Sequence, residues 1–223
     1  MNETSRNNLK ILGTTTSVGG YFRNVNVVGE AKFTGDVECQ KLSLTGELNI
    51  NGDLKADTLK LAGKCDIAGR VEGRVLRGTG EIRAFSGIRI EDINLKGSVI
   101  STSGCEAEKL HIFGALEVDG LLSADQLELS LYGPSRAKEV GGGTIEIKRS
   151  TAAKLKGWVS DITNVYFEAD LIEGDNLNLY HTKAAIVRGG RVIIGAESEI
   201  GLVEYRDSLE IHKSAVVKQQ IKI

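Results

Sequence analysis

The sequence predicts an all-β fold, a single-stranded parallel β-helix (β-solenoid) of triangular cross-section, with a repeat of about 17 residues per turn. Three observations predict it. Gly29, Gly46, Gly63, Gly80, Gly97 and Gly114 recur at one constant interval and each open a 17-residue unit. Between them apolar residues recur in pairs with a two-residue spacing, the period of a strand with one face buried. Each unit holds three such pairs and no 3.6-residue stripe of helical length, which excludes a helical repeat protein.

Counted from its leading glycine, each unit places apolar side chains at positions 3 and 5, 9 and 11, and 14 and 16. Position 14 reads Leu42, Leu59, Leu76, Ile93, Leu110, Leu127; position 3 reads Ala31, Leu48, Cys65, Ile82, Val99, Leu116; position 9 reads Val37, Leu54, Val71, Ile88, Cys105, Leu122. Three pairs make three short strands, and successive coils are expected to stack about 4.8 Å apart through parallel pairing. Small residues at positions 1 and 7 mark corners that need left-handed backbone or close chain approach. The third corner, near position 12, carries Gln40, Asp57, Arg74, Glu91, Glu108 and Asp125. Stacked coils bring outward side chains into register, so like charges would repel. Position 10 avoids this with Glu38, Lys55, Glu72, Arg89 and Glu106, whose sign alternates at every step.

The pattern extends upstream through Phe22, Val25 and Val27 and weakens downstream. Residues 1–11 read as a short N-terminal tail, 12–148 as the regular β-helix, and 149–223 as its less regular continuation. The only proline is Pro134, and Gly141 to Gly143 add one residue to a coil. Lys154 to Asn176 fit the repeat poorly; pairs return at Leu177 and Leu179, Val192 and Ile194, and Leu209 and Ile211. Right-handed parallel crossovers are the expected hand.

Composition agrees and narrows the function. The chain has 223 residues, 27 Gly, one Pro, 41% apolar and 5% aromatic residues. Abundant Leu, Ile and Val with almost no Pro exclude collagen and disorder, so the glycines serve a folded backbone. Thirty acidic against 28 basic side chains give a net charge of −2, which offers no general attraction to nucleic acid or anionic lipid, although local patches remain open to a chain of this charge. The N-terminus carries no signal-peptide stretch and no run of about 18 apolar residues occurs, so a cytoplasmic protein is expected.

Catalytic and metal readings find little support. His111, His181 and His212 are too far apart in a stacked array to converge on one metal ion, and they read as surface histidines. Cys39, Cys65 and Cys105 occupy inward positions on separate coils, too far apart to bridge, and read as buried, reduced fillers. The segment GTGEIRAFSG contains G-x-G but opens no helix, so it fails as a phosphate cradle. Lys148, Arg149, Lys154 and Lys156 beside Trp158 read as a solvated loop, the alternative being contact with a membrane surface or an acidic partner. No cofactor, metal, nucleic acid or small-molecule substrate is expected.

The Gly29 to Gly114 ladder, the G-x5-G units GELNING (46–52) and GKCDIAG (63–69), and the Leu42 to Leu127 column resemble the bactofilin family of polymer-forming bacterial cytoskeletal proteins. The resemblance covers about residues 20–148 well. It implies a right-handed triangular β-helix that joins end to end into nucleotide-independent filaments. Such filaments often lie at the inner face of the cell membrane, sometimes with a paralogue, and scaffold cell shape, division, polarity or motility. The Pro-rich flanks common in that family are absent here. Both ends of a solenoid expose strand edges, so Phe22 and Val25 at one end and Leu209, Ile211 and Val217 at the other are the expected assembly contacts. Two alternatives are a hexapeptide-type β-helix enzyme (acyltransferase or γ-class carbonic anhydrase) and a dimerising β-helix domain of a division regulator. Slightly longer coils and clustered histidines would mark the first.

Overall fold

A computed structural model describes residues 7–150 and 165–223. Twelve strand elements pair in parallel, each with the next in chain order, in one continuous sheet. They are β1 (Asn7–Ser17), β2 (Gly20–Phe33), β3 (Val37–Ile50), β4 (Leu54–Ile67), β5 (Val71–Ala84) and β6 (Ile88–Ser101). After them come β7 (Cys105–Leu131), β8 (Ser135–Arg149), β9 (Phe167–Leu179), β10 (Thr182–Ile194), β11 (Glu199–Ile211) and β12 (Val216–Lys222). No helix occurs among the described residues. The chain is a β-solenoid of about 12 turns.

Each coil has three sides because its sequence holds three inward pairs. In β3 the buried residues are Val37 and Cys39 (side A), Leu42 and Leu44 (side B), and Leu48 and Ile50 (side C). The 17-residue register of the sequence is kept from β2 to β6, so Val25, Leu42, Leu59, Leu76 and Ile93 lie in one column. A column of like side chains seals each core layer against the next. That sealing, added to the backbone ladders, is why no single coil is stable alone.

The glycine column has a steric cause. Gly13, Gly29, Gly46, Gly63, Gly80, Gly97 and Gly114 all take positive φ, and a Cβ on any of the last six would run into the carbonyl oxygen of the glycine one coil below. The column gains Gly13, one residue out of the 17-residue spacing because β1 is offset from β2 by 16. The glycines at position 7 differ: Gly52 and Gly69 are not left-handed, and a Cβ there would meet the Asp36 or Asp53 carboxylate as well as the neighbouring coil's backbone, all within 3 Å. At this corner Asp36 and Asp53 accept the backbone N-H of Asp53 and Arg70, at 2.8 and 2.7 Å, bracing one coil on the next.

Two boundaries move. The ladder begins at Asn7, inside the stretch read as a tail. Downstream, β9 resumes the core at Phe167, fully buried in the column of Ser135, so the misfit to the repeat ends well before Asn176. Ile145 and Leu177 are nearly two coil lengths apart in sequence and adjacent in the sheet. Lys154, Lys156 and Trp158 lie outside the described residues. Three coils replace an apolar residue at position 3 with Ser135, Thr182 and Ser198, all buried. Their hydroxyls stay satisfied by donating to backbone carbonyls of Gly133, Tyr180 and Leu179, as buried polar groups must be.

Candidate functional site: the ends and faces of the solenoid

The expected N-terminal contact layer is one coil too deep. Leu9 pairs over Val25 and Asn7 over Phe22, which leaves Val25 only 1% exposed and Phe22 packed on the core against Phe33. Sequence periodicity missed β1 because its 16-residue offset puts Gly13 and Leu9 outside the 17-residue frame. The outer edge of the described residues is therefore β1, with Leu9 half-buried and Leu12 exposed. At the other end Leu209 and Val217 pack partly on the core, while Ile211, Val216 and Ile221 are exposed. β12 pairs on one side with β11, and its other edge has no partner strand among the described residues. The two groups of predicted contacts thus lie at opposite ends of the sheet, and only the second borders its edge.

The three histidines stay apart, and no group of three or more His, Cys, Asp or Glu able to hold a metal ion occurs among the described residues. His111 faces Glu128 at 3.5 Å, His212 binds the Ser214 hydroxyl at 2.9 Å, and His181 lies 3.2 Å from Glu197. His181 departs from the surface reading, since its side chain is only 12% exposed. It and Glu197 are the two non-glycine residues with positive φ among those described, stacked at one corner with the Tyr166 ring 6.3 Å from the His181 ring.

The cysteines are free and buried. Burial, with a smaller contribution from the adjacent Asp66 and Glu106 carboxylates, pushes the Cys65 and Cys105 thiols up to about 12, so at neutral pH neither is a thiolate nucleophile.

The outward columns carry the electrostatics. On side A the alternating ladder makes an ion pair between coils, Arg89 to Glu106 at 2.8 Å, and at the third corner Arg74 reaches Glu91 at 3.6 Å. Side C shows the same habit, with Arg136 bridging Glu117 and Asp119 and Lys183 reaching Glu199. Of the basic cluster read near Trp158, Lys148 is held by Glu128 and Glu146 at 3.0 and 2.8 Å, and Arg149 lies near Glu197. Those two charges are neutralised within the fold.

Side B breaks the rule. Its outward columns over the first seven coils run Lys10, Asn26, Ser43, Lys60, Arg77, Asn94, His111; then Asn24, Lys41, Thr58, Val75, Asp92, Lys109; then Leu12, Val28, Thr45, Ala62, Thr79, Lys96, Phe113. Six Lys and Arg face one carboxylate, Asp92, which pairs with Arg77. All six cations are exposed.

A stretch of this chain is similar to two proteins of Bacillus subtilis (strain 168). It is 36% identical over 107 residues to one named Uncharacterized protein YhbF, covering 47% of this chain and 42% of that one. It is 34% identical over 110 residues to Uncharacterized protein YhbE, covering 48% and 45%. The match thus spans less than half the length of each relative. No family model matches, and no solved structure matches.

Proposed function

We propose that this chain is a non-enzymatic structural protein that self-assembles end to end into nucleotide-independent filaments and scaffolds a bacterial cellular process, as its resemblance to bactofilins implies. The observation that carries the reading is the pair of open parallel edges at β1 and β12. Each offers backbone groups with no partner strand among the described residues, next to incompletely covered apolar side chains, half-buried Leu9 at one end and Val216, 55% exposed, at the other. An unprotected edge of this kind templates pairing with another chain, and a second copy would continue the same columns and bury these side chains.

Negative-stain electron microscopy of the purified protein, with and without nucleotide, is the direct test. Filaments in both conditions are expected, and Leu209→Arg or Leu9→Arg is expected to remove them while circular dichroism keeps its β signal. Particles of fixed size, unchanged by protein concentration, would support a dimerising domain instead. Turnover of an acyl donor or of carbon dioxide would move the reading to the hexapeptide-type enzymes.

A further inference from the structure

On side B of the first seven coils positive charge accumulates, six cations against the one carboxylate of Asp92. On sides A and C several opposite charges meet between coils, and a like pair in register there, Glu30 on Glu47, is acidic. On side B, Lys60 stacks directly on Arg77 in the same column, and exposed like charges one coil apart disfavour the fold. Six cations spread over a strip about 30 Å long, seven coils at about 4.8 Å each, in a chain whose net charge is −2. Acids on the other sides include Glu30, Asp36, Glu38, Glu47 and Asp53, and Asp57, Glu91 and Glu108 lie at the third corner, along one border of the strip.

The strip also has apolar residues at both ends along its glycine corner. Leu12 and Val28, 65% and 43% exposed, stack at the first two coils. Phe113, 38% exposed, ends the same column, and its ring lies 5.9 Å from that of the equally exposed Tyr132. Between these ends the column holds the small or polar residues Thr45, Ala62 and Thr79 before Lys96. The strip stops where acids return: Glu128 neighbours His111 and binds Lys148.

We infer that side B of these coils is the face by which the rod lies flat on an anionic lipid bilayer. A planar sheet side presents its cations in one plane, which suits a plane of headgroups. Each cation near such a surface strengthens binding, and flanking apolar side chains entering the headgroup boundary supply the second anchor that stable attachment needs. A nucleic-acid backbone would use the cations but leave the aliphatic Leu12 and Val28 without a role. The inference goes beyond the assembly reading and does not depend on it.

The test is flotation of the full chain with vesicles of phosphatidylcholine alone or with about 30% phosphatidylglycerol, at about 0.1 M salt, where the Debye length is about 10 Å. Binding to the anionic vesicles only is expected. The pair Lys41→Gln and Lys60→Gln should weaken lipid affinity about 25-fold, at about fivefold per cation. The matched pair Lys32→Gln and Lys138→Gln on side C should leave it within about twofold, the range of an unrelated surface change. The pair Leu12→Ser and Phe113→Ser should remove the binding that survives high salt. Circular dichroism and electron microscopy of each variant report fold and assembly separately, so a failure here is distinguishable from a failure of the filament reading. Equal flotation with uncharged vesicles, equal loss in the side C pair, or tighter binding to duplex DNA with the same side B dependence would overturn the inference.

Discussion

At the scale of single residues, the solenoid is held in shape by positions where only one side chain is tolerated. Gly63 combines φ of 141° with a Cβ direction that points into the Gly46 carbonyl. Gly63→Ala must displace a coil or distort its backbone, and a loss on the order of 2–4 kcal/mol is expected, read as a lowered midpoint in thermal melts. Val25→Arg is a core substitution, since Val25 is 1% exposed, and should abolish the β signal; Leu9→Arg addresses the edge without that cost. Cys65 and Cys105 should resist thiol reagents in the native protein at pH 8 and react once it is unfolded. Their raised pKa also sets a sign for alkaline stability. Between about 9, where the unfolded thiol ionises, and about 12, where the folded one does, the native state holds protons that the unfolded chain releases, so these thiols lower stability as pH rises through that window. Denaturant midpoints measured from pH 8 to pH 10.5, compared with those of Cys65→Ala and Cys105→Ala, check it.

The elements are tied together by ladders whose members differ in weight. Arg89 and Glu106 are both well exposed, and such pairs contribute about 0–1 kcal/mol. A double-mutant cycle with Arg89→Ala and Glu106→Ala should therefore give a coupling under about 1 kcal/mol, which identifies the alternation as control of register more than of stability. The Asp53 carboxylate, which accepts the Arg70 backbone N-H at 2.7 Å across a corner, is expected to matter more. Asp53→Ala leaves that N-H unpaired at a bend and should cost about 1–2 kcal/mol, measurable by chemical denaturation. The β8 to β9 step shows how much irregularity the ladder accepts. Ile145 and Leu177 still pair across nearly two coil lengths of chain, because the core column and not the length of the connection sets the register.

For the whole molecule, the two proposals rest on different surfaces. Assembly depends on the open edges of β1 and β12, whereas the bilayer contact depends on side B along the rod. No helix of the described residues is long and apolar enough to cross a membrane; contact made through the exposed side B cations would be peripheral and salt-sensitive. Stacking further copies end to end in register would continue side B along one line and multiply its cations. Filaments are accordingly expected to float at higher salt than an edge variant such as Leu209→Arg, a difference the same vesicle assay reads.

The repeat fixed by sequence alone extends to the period, the three inward pairs, the corner glycines and the buried cysteines. Each follows from a local rule: alternate residues face one way in a strand, and left-handed backbone selects glycine. The alternating side A charges were legible for the same reason, as one column of the repeat. What the tertiary structure decided depends on which coil stacks on which. The 16-residue offset of β1 hides the true outer layer and buries Val25; the long step from β8 to β9 returns Phe167 to the core; His181 is enclosed beside Glu197 and Tyr166. The basic side B is the plainest case. Lys10, Lys41, Lys60, Arg77, Lys96 and Lys109 occupy three different columns of the repeat, and no single column reveals them. They become one surface because stacking sets adjacent columns side by side in space, where charges that are distant along the chain act together.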